Sequence, residues 1–124
     1  MPTVLLVDDE RMSNRLIKMS LELDGFRVET ARSLDEARGK LTADTQAVMV
    51  DYHLPQNTTG IDLIQEIRSG ETATNTNAAV ILASGDDRRK QEALESGADR
   101  FLSKPFLPSD LAKLLNALIA EKGL

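Results

Sequence analysis

Three aspartates of this chain stand where carboxylates could share a reaction centre. Asp8 and Asp9 follow the apolar run at residues 4–7, and Asp51 ends a second run that begins at Ala47. Carboxylates that converge in one cleft repel each other, so one of them takes up a proton or a cation lies among them. Oxygen ligands without histidine or cysteine suit Mg²⁺, and a carboxylate beside a divalent ion can attack phosphorus. The three aspartates therefore indicate phosphoryl chemistry with a bound metal ion.

A cation and a hydroxyl group are expected at the same place. Lys104 leaves the short predicted strand at 100–103, and Ser84 follows the apolar run at 79–83. A lysine can hold the charge that a transferred phosphoryl group adds, and a serine hydroxyl can donate a hydrogen bond to it.

Each of these residues also has an ordinary structural explanation. Asp8 or Asp9 could cap the helix that follows, and Asp51 could be a loop residue whose carboxylate accepts backbone N–H groups. Ser84 could belong to a turn, and Lys104 could be a solvated surface residue. What favours a shared site is that all five stand at the carboxyl ends of predicted strands.

Five predicted strands alternate with five predicted helices. Apolar or alternating runs bounded by turn residues place the strands at 4–7, 26–30, 47–51, 79–83 and 100–103. Helical spacing, a capping box at Ser33 and glycines after the last turns place the helices at 11–23, 33–41, 60–69, 87–96 and 109–120. The spaced Leu and Ile residues of the helices are assigned to the core. In the first helix the spaced residues are Met12, Leu16, Met19, Ser20 and Leu23.

This alternation predicts an α/β fold with a doubly wound, five-stranded parallel sheet and helices on both faces, as in flavodoxin. The three most continuous apolar runs belong at the centre, and the more polar strand at 26–30 belongs at an edge. These positions fit the strand order 2-1-3-4-5. The switch point between strands 1 and 3 then brings Asp8, Asp9 and Asp51 together.

The composition limits the classes of function. The net charge of −5 and pI of about 4.9 give no basic footprint for nucleic acid or anionic lipid, so we expect no direct binding to either. The chain has no cysteine and one histidine, which excludes disulfides, thiolate metal sites and a multi-histidine zinc site. No apolar run approaches the roughly 20 residues of a membrane span, and the start does not resemble a signal peptide. We expect one cytoplasmic domain over residues 1–124.

Taken together, these residues make the chain similar to the receiver domains of two-component response regulators, including the chemotaxis regulators. The likeness extends over essentially the whole chain. The matching pieces, in the family's order, are Asp8-Asp9, Asp51, Leu54-Pro55 with Gly60, Ser84, Gly97-Ala98-Asp99 and Lys104-Pro105-Phe106. Each piece is common by itself, whereas the ordered set is specific.

The resemblance implies a role for each residue of the acidic cluster. Asp51 would accept a phosphoryl group from a histidine kinase or histidine phosphotransfer protein. Asp9 and Asp51 would bind Mg²⁺ by their side chains, Asp8 through water and His53 through its backbone carbonyl, with Mn²⁺ as a substitute. Activity would be limited to self-catalysed phosphotransfer and autodephosphorylation.

The resemblance also implies a conformational switch. Lys104 would pair with a phosphoryl oxygen, and the Lys104–Pro105 peptide bond would be cis. Ser84 would move to bond the phosphoryl group, and Phe101 would turn inward into the vacated space. These movements would alter the face formed by helix 4, strand 5 and helix 5, where an output domain or target protein binds. A phosphorylation-dependent homodimer and a place in a hybrid kinase or multidomain regulator are further options.

Three other functions fit parts of the sequence. An aspartyl-nucleophile phosphatase would need an acidic residue two positions after Asp51, where His53 stands, and a cap domain. A flavin-binding protein would need N–H and hydroxyl donors after the first strand, where Asp8 and Asp9 stand. A docking module that is never phosphorylated would not need the complete acidic set.

Overall fold

Five parallel strands form one sheet in the order β2-β1-β3-β4-β5, as predicted. The computed structural model describes residues 1–124 without gaps. The strands are β1 (Thr3–Val7), β2 (Arg27–Ala31), β3 (Ala47–Asp51), β4 (Ala79–Ser84) and β5 (Arg100–Ser103). The helices are α1 (Arg11–Leu23), α2 (Leu34–Lys40), α3 (Gly60–Ser69), α4 (Lys90–Ser96) and α5 (Pro108–Lys122).

The burial of each strand explains its place in the sheet. Every residue of β4 is buried, as are the first four of β3, because these strands are covered on both faces. The second strand alternates between exposed and buried positions, as an edge strand does. It begins at Arg27, one residue later than predicted, because the Phe26 backbone N–H donates to the Leu21 carbonyl of α1 instead of joining the sheet.

Helices cover both faces of the sheet and divide the core into two layers. Side chains of α1 and α5 pack on one face, whereas side chains of α2, α3 and α4 pack on the other. The strands are therefore held by packed side chains on both faces of the sheet. This arrangement fixes the carboxyl edge of the sheet, where the predicted site residues lie. None of the five helices combines the length and apolar character that a membrane crossing requires.

The prediction for the buried face of α1 was wrong. The residues that pack inward are Asn14, Ile17 and Leu21. The spaced residues Met12, Leu16, Met19 and Leu23 are 67%, 62%, 60% and 89% exposed. The helix has an apolar stripe on each of two opposite sides, and spacing alone does not say which stripe meets the sheet. Asn14 helps to orient the helix, since its side-chain amide donates to the backbone carbonyl of Asp8 at 2.7 Å.

The fourth helix was predicted to begin at residue 87, but its α-helical part begins at Lys90. Its first turn, Asp87–Arg89, is a 3₁₀ turn, and the α-helix runs only over Lys90–Ser96. The Asp86 side chain caps the 3₁₀ turn by accepting the Arg88 backbone N–H at 3.0 Å. In this helix Ala93 is buried, but Leu94 is 41% exposed and does not belong to the core.

Candidate functional site

The sheet register brings the three aspartates together. Val7 of β1 pairs with Val50 of β3, so Asp8 lies beside Asp51 when the two strands end. Ligand oxygens of Asp8, Asp9 and Asp51 all lie within 4.8 Å of one another. The predicted convergence of the three carboxylates is therefore present in the structure.

The three carboxylates differ in their surroundings. The Asp8 side chain is almost completely buried, and its Oδ1 accepts the Glu10 backbone N–H at 3.0 Å. The Asp51 side chain keeps 14% of its surface exposed, and Asp9 is exposed. Neither Asp8 nor Asp9 caps α1, because the residue at the N-cap is Glu10 and no side chain caps the helix.

Lys104 lies between two of the aspartates. Its backbone N–H donates to the Ser84 carbonyl at 2.8 Å, which continues the pairing of β5 with β4 beyond Ser103. Its ammonium group contacts Asp8 Oδ2 at 2.8 Å and Asp51 Oδ1 at 3.0 Å. The Lys104–Pro105 peptide bond is cis, as the resemblance implied.

Burial and neighbouring charges shift the protonation of this cluster. Burial has the largest effect on Asp51 and raises its pKa; Lys104 lowers the pKa, and the charges of Asp8 and Asp9 raise it further. The net pKa of Asp51 is raised. Burial also has the largest single effect on Lys104 and lowers its pKa, but the bonds and charges of Asp8 and Asp51 together raise it. Lys104 is therefore charged, and it compensates only part of the negative charge around it.

Ser84 lies at the same edge with its hydroxyl already engaged. The side chain is buried, and its Oγ accepts the Asp86 backbone N–H at 3.1 Å. The hydroxyl proton remains available for donation, since the bond to Asp86 uses only a lone pair. On the neighbouring strand, Phe101 is partly buried and packs against the core on the α3 and α4 side.

His53 lies in the loop that follows Asp51. The residue is exposed and forms an isolated antiparallel bridge with Thr59. Its carbonyl oxygen accepts no backbone or side-chain hydrogen bond. A carbonyl oxygen that accepts no hydrogen bond, two residues after Asp51, is of the type that a hard cation takes as an additional ligand.

Two features of the site were not predicted from the sequence. Arg89 lies over the Tyr52 ring at 4.5 Å from its centroid, which ties the turn before α4 to the residue after Asp51. The second feature is a capping box at the start of α3, formed by Thr59 and Asp62. The T-x-x-D spacing could have revealed the capping box. No local pattern predicts the Arg89–Tyr52 contact, because it joins separate loops.

The donor set fits a hard divalent cation. Carboxylate and carbonyl oxygens without nitrogen or sulfur ligands suit Mg²⁺, which keeps several waters and needs few protein ligands. The close approach of three aspartates beside a single lysine also leaves a net negative charge for the ion to balance.

We expect Lys104→Met to strengthen Mg²⁺ binding about tenfold, because the variant removes a positive charge that repels the ion at short range. Isothermal titration of the purified chain would measure this change. Lys113→Met, which removes an exposed lysine of α5 that has no ion pair, provides the matched control. Equal Mg²⁺ affinity in the parent and Lys104→Met would contradict a metal site beside the ammonium group.

Comparison with known proteins identifies relatives of the same fold. The family profile described as "Response regulator receiver domain" matches residues 4–116. The chain is 36% identical to the transcriptional regulatory protein CpxR homolog of Haemophilus influenzae, over 99% of this chain and 52% of that protein. The chain thus spans about half the length of the first curated relatives it matches.

Solved structures agree with this comparison. A response regulator receiver domain protein from Clostridium thermocellum is 30% identical, with a TM-score of 0.87 over 99% of this chain and 98% of that one. The response regulator TrrA of Thermotoga maritima, solved in complex with Mg²⁺-BeF, is 26% identical, with a TM-score of 0.82 over 95% of this chain and 99% of that one. With a profile match over most of its length, this chain belongs to the receiver domains of two-component response regulators.

Proposed function

We propose that Asp51 accepts a phosphoryl group from the phosphohistidine of a histidine kinase or a histidine phosphotransfer protein. A carboxylate oxygen of Asp51 forms a bond to phosphorus while the phosphorus–nitrogen bond to the histidine breaks. The leaving imidazole keeps the electron pair and takes up a proton. The product is an acyl phosphate, which water later hydrolyses to return the carboxylate. We assign no other turnover to the chain.

One observation carries the choice of Asp51. Among the three carboxylates, only Asp51 both contacts Lys104 and keeps part of its side chain exposed. The Asp8 side chain contacts the same lysine but is 2% exposed, and Asp9 makes no ion pair. Asp51 is thus the carboxylate that a donor can reach and for which a protein cation is already in position to hold the transferred charge.

Receiver domains bind Mg²⁺ at an acidic pocket, and we propose that this chain does so through its own cluster. Asp9 and Asp51 would bind the ion by their side chains, His53 by its free carbonyl, and Asp8 through water. When bound, the ion neutralises charge on the phosphoryl oxygens. The same oxygen ligands would accept Mn²⁺. The Mg²⁺-BeF complex of TrrA supports this proposal, because that protein shares the fold of this chain.

The response to phosphorylation would begin at Ser84. To donate its hydroxyl to the phosphoryl group, Ser84 moves toward Asp51 and gives up its bond with the Asp86 backbone N–H. Phe101, which is only partly buried, turns into the space that Ser84 leaves. The face formed by α4, β5 and α5 then changes its shape for the next partner.

The partners follow from this role. Relatives of this chain are response regulators, which work with histidine kinases and output domains. We propose that the changed face binds an output domain or target protein, or a second phosphorylated copy. Direct contact with nucleic acid is not part of the proposed role. A place in a hybrid kinase and a cytoplasmic location remain predictions from the sequence.

A phosphoryl mimic tests the proposed switch. Beryllium fluoride added with Mg²⁺ is expected to shift the backbone amide resonances of Gly85, Asp86 and β5, while those of β2 at the far edge stay in place. Asp51→Asn under the same conditions serves as the control and should show no shift. Unchanged Gly85 and β5 resonances at saturating beryllium fluoride would overturn the proposed coupling.

A further inference from the structure

The outward stripe of α1 is the largest set of exposed apolar side chains on one element. Four of the seven large hydrophobic residues that are exposed in this chain lie on this helix: Met12, Leu16, Met19 and Leu23. Their separations of four, three and four positions give the spacing of a coiled-coil seam. The opposite side of α1 is already packed, because Ile17 and Leu21 contact the core. The stripe is therefore a helix face with no partner in the protomer.

The order of residues along the stripe is self-complementary. Read forward the seam is Met-Leu-Met-Leu, and in the reverse direction it is Leu-Met-Leu-Met. In an antiparallel pair related by a two-fold axis, Met12 therefore meets Leu23 of the other copy, and Leu16 meets Met19. Every layer of such a pair holds one flexible Met and one Leu, so the four layers have equal volume.

The charges beside the stripe are complementary in the same arrangement. Arg15 and Glu22 flank the seam on one side, and neither makes an ion pair within the protomer. They are seven positions apart, about 10 Å along the helix, which is too far for a contact with each other. In the antiparallel pair Arg15 of one copy lies opposite Glu22 of the other copy. Two ion pairs therefore form, and the two-fold axis relates them. On the other side the seam is flanked by Ser13 and Ser20, which are small, uncharged and half-buried.

We propose that α1 pairs in antiparallel orientation with α1 of a second copy of this chain. The association does not require phosphorylation and goes beyond the proposed phosphoacceptor role. Four side chains on a helix of 13 residues form a smaller contact than the roughly 800 Å² per partner of a standard interface. The dimer is consequently weak and depends on protein concentration.

Sedimentation of the unphosphorylated chain without metal, from micromolar to millimolar concentration, tests this pairing. The parent chain should form dimers at the upper concentrations. R15E or E22R alone should weaken dimerisation about tenfold, because each replaces two attractive contacts by two repulsive ones. D44K, a charge reversal at an exposed loop aspartate without an ion pair near the amino edge of the sheet, should have no effect.

Two combinations distinguish self-pairing from any other use of the stripe. The double variant R15E/E22R should dimerise within about threefold of the parent, since both contacts are attractive again. An equimolar mixture of the R15E and E22R single variants should form heterodimers for the same reason. Circular dichroism checks that all variants fold. A parent chain that stays monomeric at millimolar concentration would overturn the proposal, as would a double variant no stronger than the singles.

Discussion

Asp51→Asn is expected to abolish labelling of this chain by a small phosphodonor such as acetyl phosphate in the presence of Mg²⁺. An amide has nearly the shape of the carboxylate but is a poor nucleophile and cannot form a stable acyl phosphate. The labelled fraction, measured as the mass of one added phosphoryl group on the intact protein, should fall to background. Asp44→Asn, at an exposed loop aspartate near the amino edge of the sheet, should be labelled like the parent. Full labelling of Asp51→Asn would place the acceptor elsewhere.

The same variant should not lose stability. The raised pKa of Asp51 means that the folded state binds a proton more tightly than the unfolded chain does. Ionisation therefore opposes folding once the pH exceeds the ordinary pKa of about 4. Asparagine carries no charge at any pH, so thermal unfolding at pH 7 should occur at or above the temperature of the parent. A large decrease would show that the loss of labelling reflects unfolding.

Gly60→Ala is expected to destabilise the fold by about 3 kcal/mol. A Cβ atom at this position would lie 2.5 Å from the Asp51 backbone oxygen and 3.1 Å from Val50 Cγ2, so the backbone of β3 or α3 has to move. The Gly60 N–H also donates to the Tyr52 carbonyl at 2.8 Å, which limits how far it can shift. Urea unfolding would measure the change. Labelling of Asp51 should fall as well, because its backbone carbonyl receives the clash.

Gly39→Ala provides the matched control for that substitution. Gly39 lies in α2, is exposed, and has no atom within 4 Å of the position that its Cβ would occupy. Alanine should stabilise this helix by about 0.5–1 kcal/mol through the lower entropy of the unfolded chain. Equal effects of the two substitutions would contradict the close approach of α3 to Asp51.

The sheet and the cluster of aspartates could be predicted because their signals are local. The apolar runs ending at Asp8 and Asp51 indicate central parallel strands, and parallel strands carry their carboxyl ends to one edge. The outward face of α1 was missed because Leu16 and Ile17 are equally apolar. Only the tertiary fold decides which of them meets the sheet. The 3₁₀ turn before α4 was missed because residues 87–89, which Asp86 caps, are polar residues that fit a 3₁₀ turn and an α-helix equally well.

The details of the site depend on distances that sequence does not contain. Lys104 was expected near the aspartates, but its simultaneous contact with Asp8 and Asp51 follows from the pairing of β5 with β4. The difference in exposure between the Asp8 and Asp51 side chains is likewise set by the tertiary packing around them, which the sequence does not contain. These long-range contacts decide which carboxylate a donor can reach.

The contact between Tyr52 and Arg89 makes the unlabelled protein its own optical reporter. The chain has one tyrosine and no tryptophan, so all of its tyrosine emission comes from a single ring. That ring belongs to the residue after Asp51 and lies under a guanidinium carried by the turn before α4. A rearrangement of the turn that moves Arg89 changes the surroundings of the only tyrosine. On the proposed function, we expect formation and decay of the acyl phosphate to change this emission, so that both could be followed in real time without an added fluorophore.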